Sequence, residues 1–212
     1  EAGVKWADGS HQFADLTEED MATAESAWFI RLSGLAASAE VVEQLRSDVS
    51  WLAKEYLRRP PYAMFRLVTG LRRDVFAMID GRPHPRHLPD LYSVAGWLSA
   101  LLAHASSDVG QRPAAQTHSR SAWLCADHGD DDELRCYVTW LRSNDAYWAE
   151  DHVRAAGLAR SGRQYARLAA ADAQEALDLL SSDGDGKHSV ELREAARLDL
   201  AAARLRLEDL DG

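Results

Sequence analysis

The sequence predicts an all-α fold built from antiparallel helix pairs, and three observations carry that expectation. Ala, Leu, Arg, Asp and Glu dominate, while Ile occurs only as Ile30 and Ile79, a palette rich in helix formers and poor in the β-branched residues of strands. Apolar residues recur at three- and four-residue steps in one segment after another. No stretch of useful length alternates apolar with polar side chains, as a half-buried strand would. Short turns between the predicted helices make consecutive ones pack antiparallel.

Residues 1–16 hold Gly, Asp and Ser without sustained periodicity and read as a linker or arm. Thr17 can cap a helix whose first turn carries Glu18, Glu19 and Asp20, where the helix dipole favours acids; it is expected to run to about Leu32, before Gly34. Val42, Leu45, Val49, Leu52 and Tyr56 form the next amphipathic stripe, ended by Arg59-Pro60-Pro61. Phe65, Val68, Leu71 with Arg72, Val75 and Ile79 form another, stopped by Gly81 and the prolines after it. After Pro89 the stripe is Leu91, Val94, Ala95, Leu98, Leu101, Leu102 and Ala105, ending at Gly110. Helices follow at 113–127, 132–148, 153–180 with a break near Gly162, and 190–210; Ser181 to Gly186 reads as a loop. The organisation expected is an arm (1–16), an N-terminal helical segment (17–81) and a repeat region (82–212) continuous with it. The chain starts at Glu1 rather than Met and stops just after a helical stretch, which reads as a fragment truncated at its C-terminus.

At 46% hydrophobic and 27% charged over 212 residues, the composition is that of an ordinary globular chain. The formal net charge of −10 repels phosphate backbones, which argues against direct nucleic-acid binding. No apolar run reaches the roughly 18 residues of a membrane span and no signal peptide is visible, so no membrane partner and a cytoplasmic location are expected. Cys125 and Cys136 lack metal-type spacing and are expected to be reduced core thiols.

A repeat runs through the second half. Gly110 is followed by Ala115 and Ala122 and preceded by Ala103; forty residues on, Glu150 stands in the same relation to Ser143, Ala155 and Gly162. Small residues at these offsets let antiparallel helices approach closely. The Gly-x-x-x-x-Ala-x-x-x-x-x-x-Ala run and the helix-pair rhythm resemble tetratricopeptide repeats, which implies a right-handed superhelix, an α-solenoid. The chain resembles more closely the C-terminal regions of actinobacterial (Streptomyces-type) Xre-family helix-turn-helix regulators. The residues carrying this are Leu88 to Gly110 (LPDLYSVAGWLSALLAHASSDVG), Ala114 to Ala126 (AAQTHSRSAWLCA) and Ala146-Tyr147-Trp148. The likeness is best over 60–165 and departs at 163–190, where an Asp/Gly loop resembles an insertion. Such regulators carry an N-terminal helix-turn-helix, which this sequence lacks, so contact with DNA is expected only through a segment outside it.

In tetratricopeptide-type pairs the first helix lines the concave face. The resemblance therefore places Trp97, Ala100, His104, Ser107 and Asp108 on that face, and likewise Tyr137, Trp140, Asn144, Tyr147 and Trp148. Trp97, His104, Tyr137, Trp140, Asn144, Tyr147 and Trp148 are the candidate ligand-binding residues. They combine apolar area with N–H and O–H groups, and Asn144 offers both a donor and an acceptor to an extended peptide. The competing role for each aromatic is core packing.

Other motifs point elsewhere. Asp130, Asp131, Asp132 and Glu133 after His128 lack calcium-loop spacing and read as the acidic start of a helix. His84 and His87 lie among prolines and read as a surface loop, and Asp183 to Gly186 offers too few ligands for a cation. Glu191 and Glu194 read as surface partners of Arg193 and Arg197. With no phosphate loop, His-Glu-x-x-His or Gly-x-Ser-x-Gly motif, no catalytic residue, metal or cofactor is implied. The function expected is a regulatory, sensing region of a transcription regulator that binds a small-molecule or peptide effector, a protein partner or a second copy of itself. The rivals are a plain protein-interaction scaffold and, more remotely, an all-α enzyme with an aromatic pocket, which would show two or more converging titratable groups.

Overall fold

A computed structural model describes residues 38–56 and 58–182, with Ser26 alone before them. The expected arm at 1–16, the helix at 17–32, residues 183–186 of the loop and the helix at 190–210 lie outside the described residues. Those described form six α-helices and no strand. None of these helices is long and apolar enough to cross a membrane.

Helix α1 (Ala39–Tyr56) starts at Ser38, whose hydroxyl accepts from Val41 N–H at 3.4 Å, and it buries Val41, Val42, Leu45 and Leu52. Helix α2 (Pro61–Asp80) opens on a proline, which has no N–H to leave unpaired at that end, and buries Met64, Val68 and Val75. Val68 and Val75 of the predicted stripe lie on that buried line, while Phe65, Leu71 and Ile79 pack beside it, partly buried.

A 3-10 turn, Pro85–His87, leads into α3 (Leu88–Asp108). It corrects the surface-loop expectation for one histidine: His87 is buried and accepts from Arg86 Nε at 2.9 Å, while His84 stays exposed. The turn packs against α3, which takes the His87 ring out of solvent. Helix α3 is apolar nearly all round, from Leu91 to Ser106, as a helix surrounded by others must be. It touches α1, α2, α4 and α5.

Helices α4 (Arg112–Gly129), α5 (Asp132–Trp148) and α6 (His152–Ser182) follow with turns of the same construction. Gly110, Asp130 and Glu150 all have left-handed backbone, with φ of 73°, 49° and 62°. The next N–H in each case reaches five residues back, Gln111 to Ser106, Asp131 to Ala126 and Asp151 to Ala146, at 2.7, 3.0 and 3.0 Å. This pairing satisfies otherwise orphaned carbonyls at the helix end. Asp131 and Asp151 then cap the following helix, accepting from Leu134 and Arg154 N–H at 2.8 and 3.1 Å. One helix and one turn thus recur every twenty residues, with stops at 110, 130 and 150.

Helix α6 corrects two expectations. It is unbroken at Gly162, which is buried within it, and it carries Ser181 and Ser182, which had read as loop. A helical glycine costs about 1 kcal/mol relative to alanine, too little to end a helix that packs along α5.

The core has two connected parts. One joins α1, α2, α3 and Cys125; the other joins Ala100, Ala103, Ala122, Ala126, Leu134, Val138 and Leu141 of α3 to α5. Helix α3 packs most extensively on α4, and α5 on α6, while α3 also touches α1 and α5. Both cysteines are buried, and neither takes part in a disulfide. Among the described residues, Ser106 Oγ is buried without a hydrogen-bond partner. Ser106→Ala is therefore expected to raise stability by about 1 kcal/mol in urea unfolding, and a comparable loss instead would show that the hydroxyl is engaged.

Candidate functional site

Alternate helices build an aromatic cluster. Helix α1 contributes Tyr56 from its last turn, α3 contributes Trp97, His104 and Asp108, and α5 contributes Tyr137 and Trp140. Positions 97, 104 and 108, and positions 137 and 140, recur at helical spacing and so emerge on the side where the three helices meet. Ring centroids lie 4.9 Å apart for Tyr56 and His104, 5.4 Å for Trp97 and Tyr137, 5.7 Å for Tyr137 and Trp140, and 5.5 Å for His104 and Trp140. Such stacked, tilted and edge-on pairs contribute beyond the area they bury.

The polar atoms of the cluster largely satisfy one another. Tyr56 donates its O–H to Asp108 Oδ2, and burial together with that carboxylate pushes the phenol far above the usual tyrosine range. Burial holds the His104 imidazole below its ordinary value, against a smaller opposite pull from Asp108. His104 is thus neutral near pH 7, with one donor and one acceptor nitrogen. Asp108 accepts only, and its Oδ1 stands 3.9 Å from Nε2, so we assign the proton to Nε2. Nδ1 then accepts from Tyr137 O–H at 2.8 Å.

Trp97 serves the scaffold. Its indole N–H donates to Asp131 Oδ2 at 3.1 Å, the oxygen that also accepts from Ser93, while Asp131 Oδ1 caps α5. The acidic run 130–133 is therefore a helix start tied back to α3. Arg135 stands among its acids, 3.1 Å from Asp130 and 2.6 Å from Asp132. Among the described residues, no group of three or more His, Cys, Asp or Glu side chains is placed to hold a metal ion.

The remaining candidates lie further along α5. Trp148 donates its indole N–H to Asn144 Oδ1 at 3.1 Å, and Tyr147 lies against Trp148 and His152, 5.5 and 5.4 Å between centroids. The seven predicted residues thus divide into a packed support (Trp97, His104, Tyr137), an outer group (Asn144, Tyr147, Trp148), and Trp140, which packs on the support and is exposed at its edge. Exposure separates surface from support: Trp140 is 39% exposed, Tyr147 55% and Trp148 73%, whereas Trp97, His104 and Tyr137 are half-buried.

Sequence reasoning missed Tyr56 as a member. Its signal was present, since it ends the α1 stripe, but nothing local announced that its hydroxyl meets a carboxylate 52 residues away.

Fold and site together define, over the described residues, an all-helical unit with an aromatic face assembled from alternate helices. No known protein family, curated protein or solved structure matches the chain.

Proposed function

We propose that this chain is a non-catalytic sensing and interaction module, a right-handed solenoid of tetratricopeptide-like helix pairs that docks a peptide or protein segment on its aromatic face. The observation that carries this reading is the exposed α5 stripe of Trp140, Tyr147 and Trp148, with half-buried Asn144 among them, whose Trp140 packs on the His104–Tyr137 support. A rigid aromatic platform with amide and indole edges gives a partner large contact area at small ordering cost. The contacts of α3 with both α1 and α5, and the turns recurring every twenty residues, support the solenoid reading. Its role as the effector region of a transcription regulator rests on the resemblance over residues 60–165. In that role a bound partner would favour one curvature of the helix stack and so reorient an attached DNA-binding domain. A helix-turn-helix encoded in the same polypeptide supports the regulator assignment, and a polypeptide without one overturns it.

The docking claim is tested with a displayed peptide library, followed by titration of selected peptides and of a metabolite panel against tryptophan fluorescence. Trp140→Ala and Trp148→Ala are each expected to weaken a selected peptide about tenfold or more, as interface aromatics do. Binders indifferent to both substitutions would remove the face from the function.

A catalytic reading retains one observation: Tyr56, His104, Asp108 and Tyr137 converge. Their mutual hydrogen bonds favour a structural network. Turnover of any selected ligand, followed by mass spectrometry and lost in His104→Ala, would establish the catalytic reading instead.

A further inference from the structure

We propose that a second site, a solvent-open cleft of about 300 Å³ lined by α3, α4, α5 and α6 and distinct from the aromatic face, binds a small phosphate monoester. The site is defined by three guanidinium groups, Arg120 of α4, Arg142 of α5 and Arg154 of α6, with Ser119, Gln116 and Asp145 beside them. In a chain with a net charge of −10, three cations converging on one cavity run against the average surface.

Arg142 is held in place. Its Nε donates to Ser119 Oγ at 3.1 Å, its terminal nitrogen donates to the Ser119 carbonyl at 3.2 Å, and its guanidinium stacks 4.9 Å from the Trp123 ring centroid. Among the described residues, neither Arg142, Arg120 nor Arg154 forms an ion pair. Burial, followed by the charges of Arg120 and Arg154, lowers the basicity of Arg142. The cluster therefore stores like-charge repulsion that a dianion relieves.

The one carboxylate lining the cavity is already engaged. Asp145 accepts from Arg112 Nε at 3.1 Å and from Gln116 Nε2 at 3.0 Å, so its charge is met from the rim. Three cations against one paired carboxylate call for a ligand of two negative charges, which a phosphate monoester carries and a monocarboxylate does not. Guanidinium geometry suits phosphate oxygens, and pinning Arg142 beforehand lowers the ordering cost of binding. The volume sits at the small end of ligand cavities, which favours a compact monoester over a dinucleotide. Space arises because small residues, Ala103 and Ala115, form part of the wall at the close-packing positions of the repeat. A bound phosphate would tie Arg120 and Arg142 to Arg154 across two successive helix pairs, fixing how they sit together.

The test is calorimetric titration of the full chain with inorganic phosphate, glycerol 3-phosphate, ribose 5-phosphate and acetate. Saturable binding of at least one monoester is expected, tighter than inorganic phosphate and absent for acetate. Arg120 and Arg154 are exposed and carry no tertiary hydrogen bond among the described residues, so Arg120→Gln and Arg154→Gln are expected to fold normally and to weaken binding about tenfold each. Arg142→Gln is expected to weaken it at least as much, with circular dichroism reporting its folding. Tyr62→Ala, at an exposed position of α2, is expected to leave it unchanged. The proposal is overturned by absence of saturable monoester binding, by binding that survives the Arg120→Gln/Arg154→Gln double variant, by equal affinity for acetate, or by inorganic phosphate binding as tightly as the better-bound monoester.

Discussion

Gly96→Ala is expected to destabilise the protein by about 2–3 kcal/mol, the cost of forcing a methyl group into a filled core. A Cβ at this position would lie 2.3 Å from Leu134 Cδ2, 2.9 Å from Cys125 Cβ and 3.4 Å from the Ala122 carbonyl oxygen. Leu134 is wholly buried in a close-packed interior, and Cys125 Cβ is one bond from its backbone, so α4 itself must retreat. The cost falls where α3, α4 and α5 meet, which links both cores. Gly157 in α6 serves as the internal control, because a Cβ there meets nothing within 4 Å. Gly157→Ala is expected to stabilise by about 0.5–1 kcal/mol through helix propensity alone. Urea unfolding of the two variants checks the pair, and shifts of the same sign would contradict the close approach at Gly96.

Asp131→Ala is expected to cost about 3 kcal/mol, more than a surface acid ordinarily would. One carboxylate performs three tasks: it caps α5 at Leu134 N–H, accepts the Trp97 indole N–H and accepts the Ser93 hydroxyl. Loss of the cap costs about 1 kcal/mol, and stranding a partly buried donor costs about 1–3 kcal/mol. Asp131→Asn keeps one acceptor oxygen and is expected to lose about half as much. Combining Asp131→Ala with Trp97→Phe distinguishes the contributions, since the double variant no longer strands the indole and its loss should fall short of the sum of the singles. Additive losses would show that Asp131 acts as a cap alone.

Both predictions rest on contacts that differ in how far they could be read from sequence. The helix at 132–148 was expected from its acidic start and spacing, and its observed bounds, Asp132–Trp148, are the same. Helix α4 extends the expected 113–127 by Arg112 at one end and by His128 and Gly129 at the other. Caps, prolines and left-handed stops act over three or four residues, so the chain declares them locally. Gly162 shows the opposite case: a local breaker lost to packing along α5, as propensity does when tertiary contacts outweigh it. His87 likewise looked exposed from its proline-rich neighbours, and packing of the turn buried it.

At the candidate site, the resemblance to tetratricopeptide pairs placed Tyr137, Trp140, Asn144, Tyr147 and Trp148 on one face, and helical periodicity is consistent with their sharing it. It could not report what that face meets. Trp97 and His104 turned inward to Asp131 and Tyr137, while Trp148 remained open to solvent. Tyr56 joined from another helix altogether. The arginine-lined cavity was invisible for the same reason, since Arg120, Arg142 and Arg154 belong to three helices.

Sequence alone thus determined that the chain is helical, where most of its helices begin and end, and which residues lie side by side along each one, because these follow from short-range steric and hydrogen-bonding rules. Tertiary structure decided which aromatics support and which present a surface, that Asp131 binds three groups at once, and that three distant arginines surround one cavity. Those outcomes depend on how separate helices dock, with partners 34 to 52 residues apart for the Trp97–Asp131 and Tyr56–Asp108 contacts.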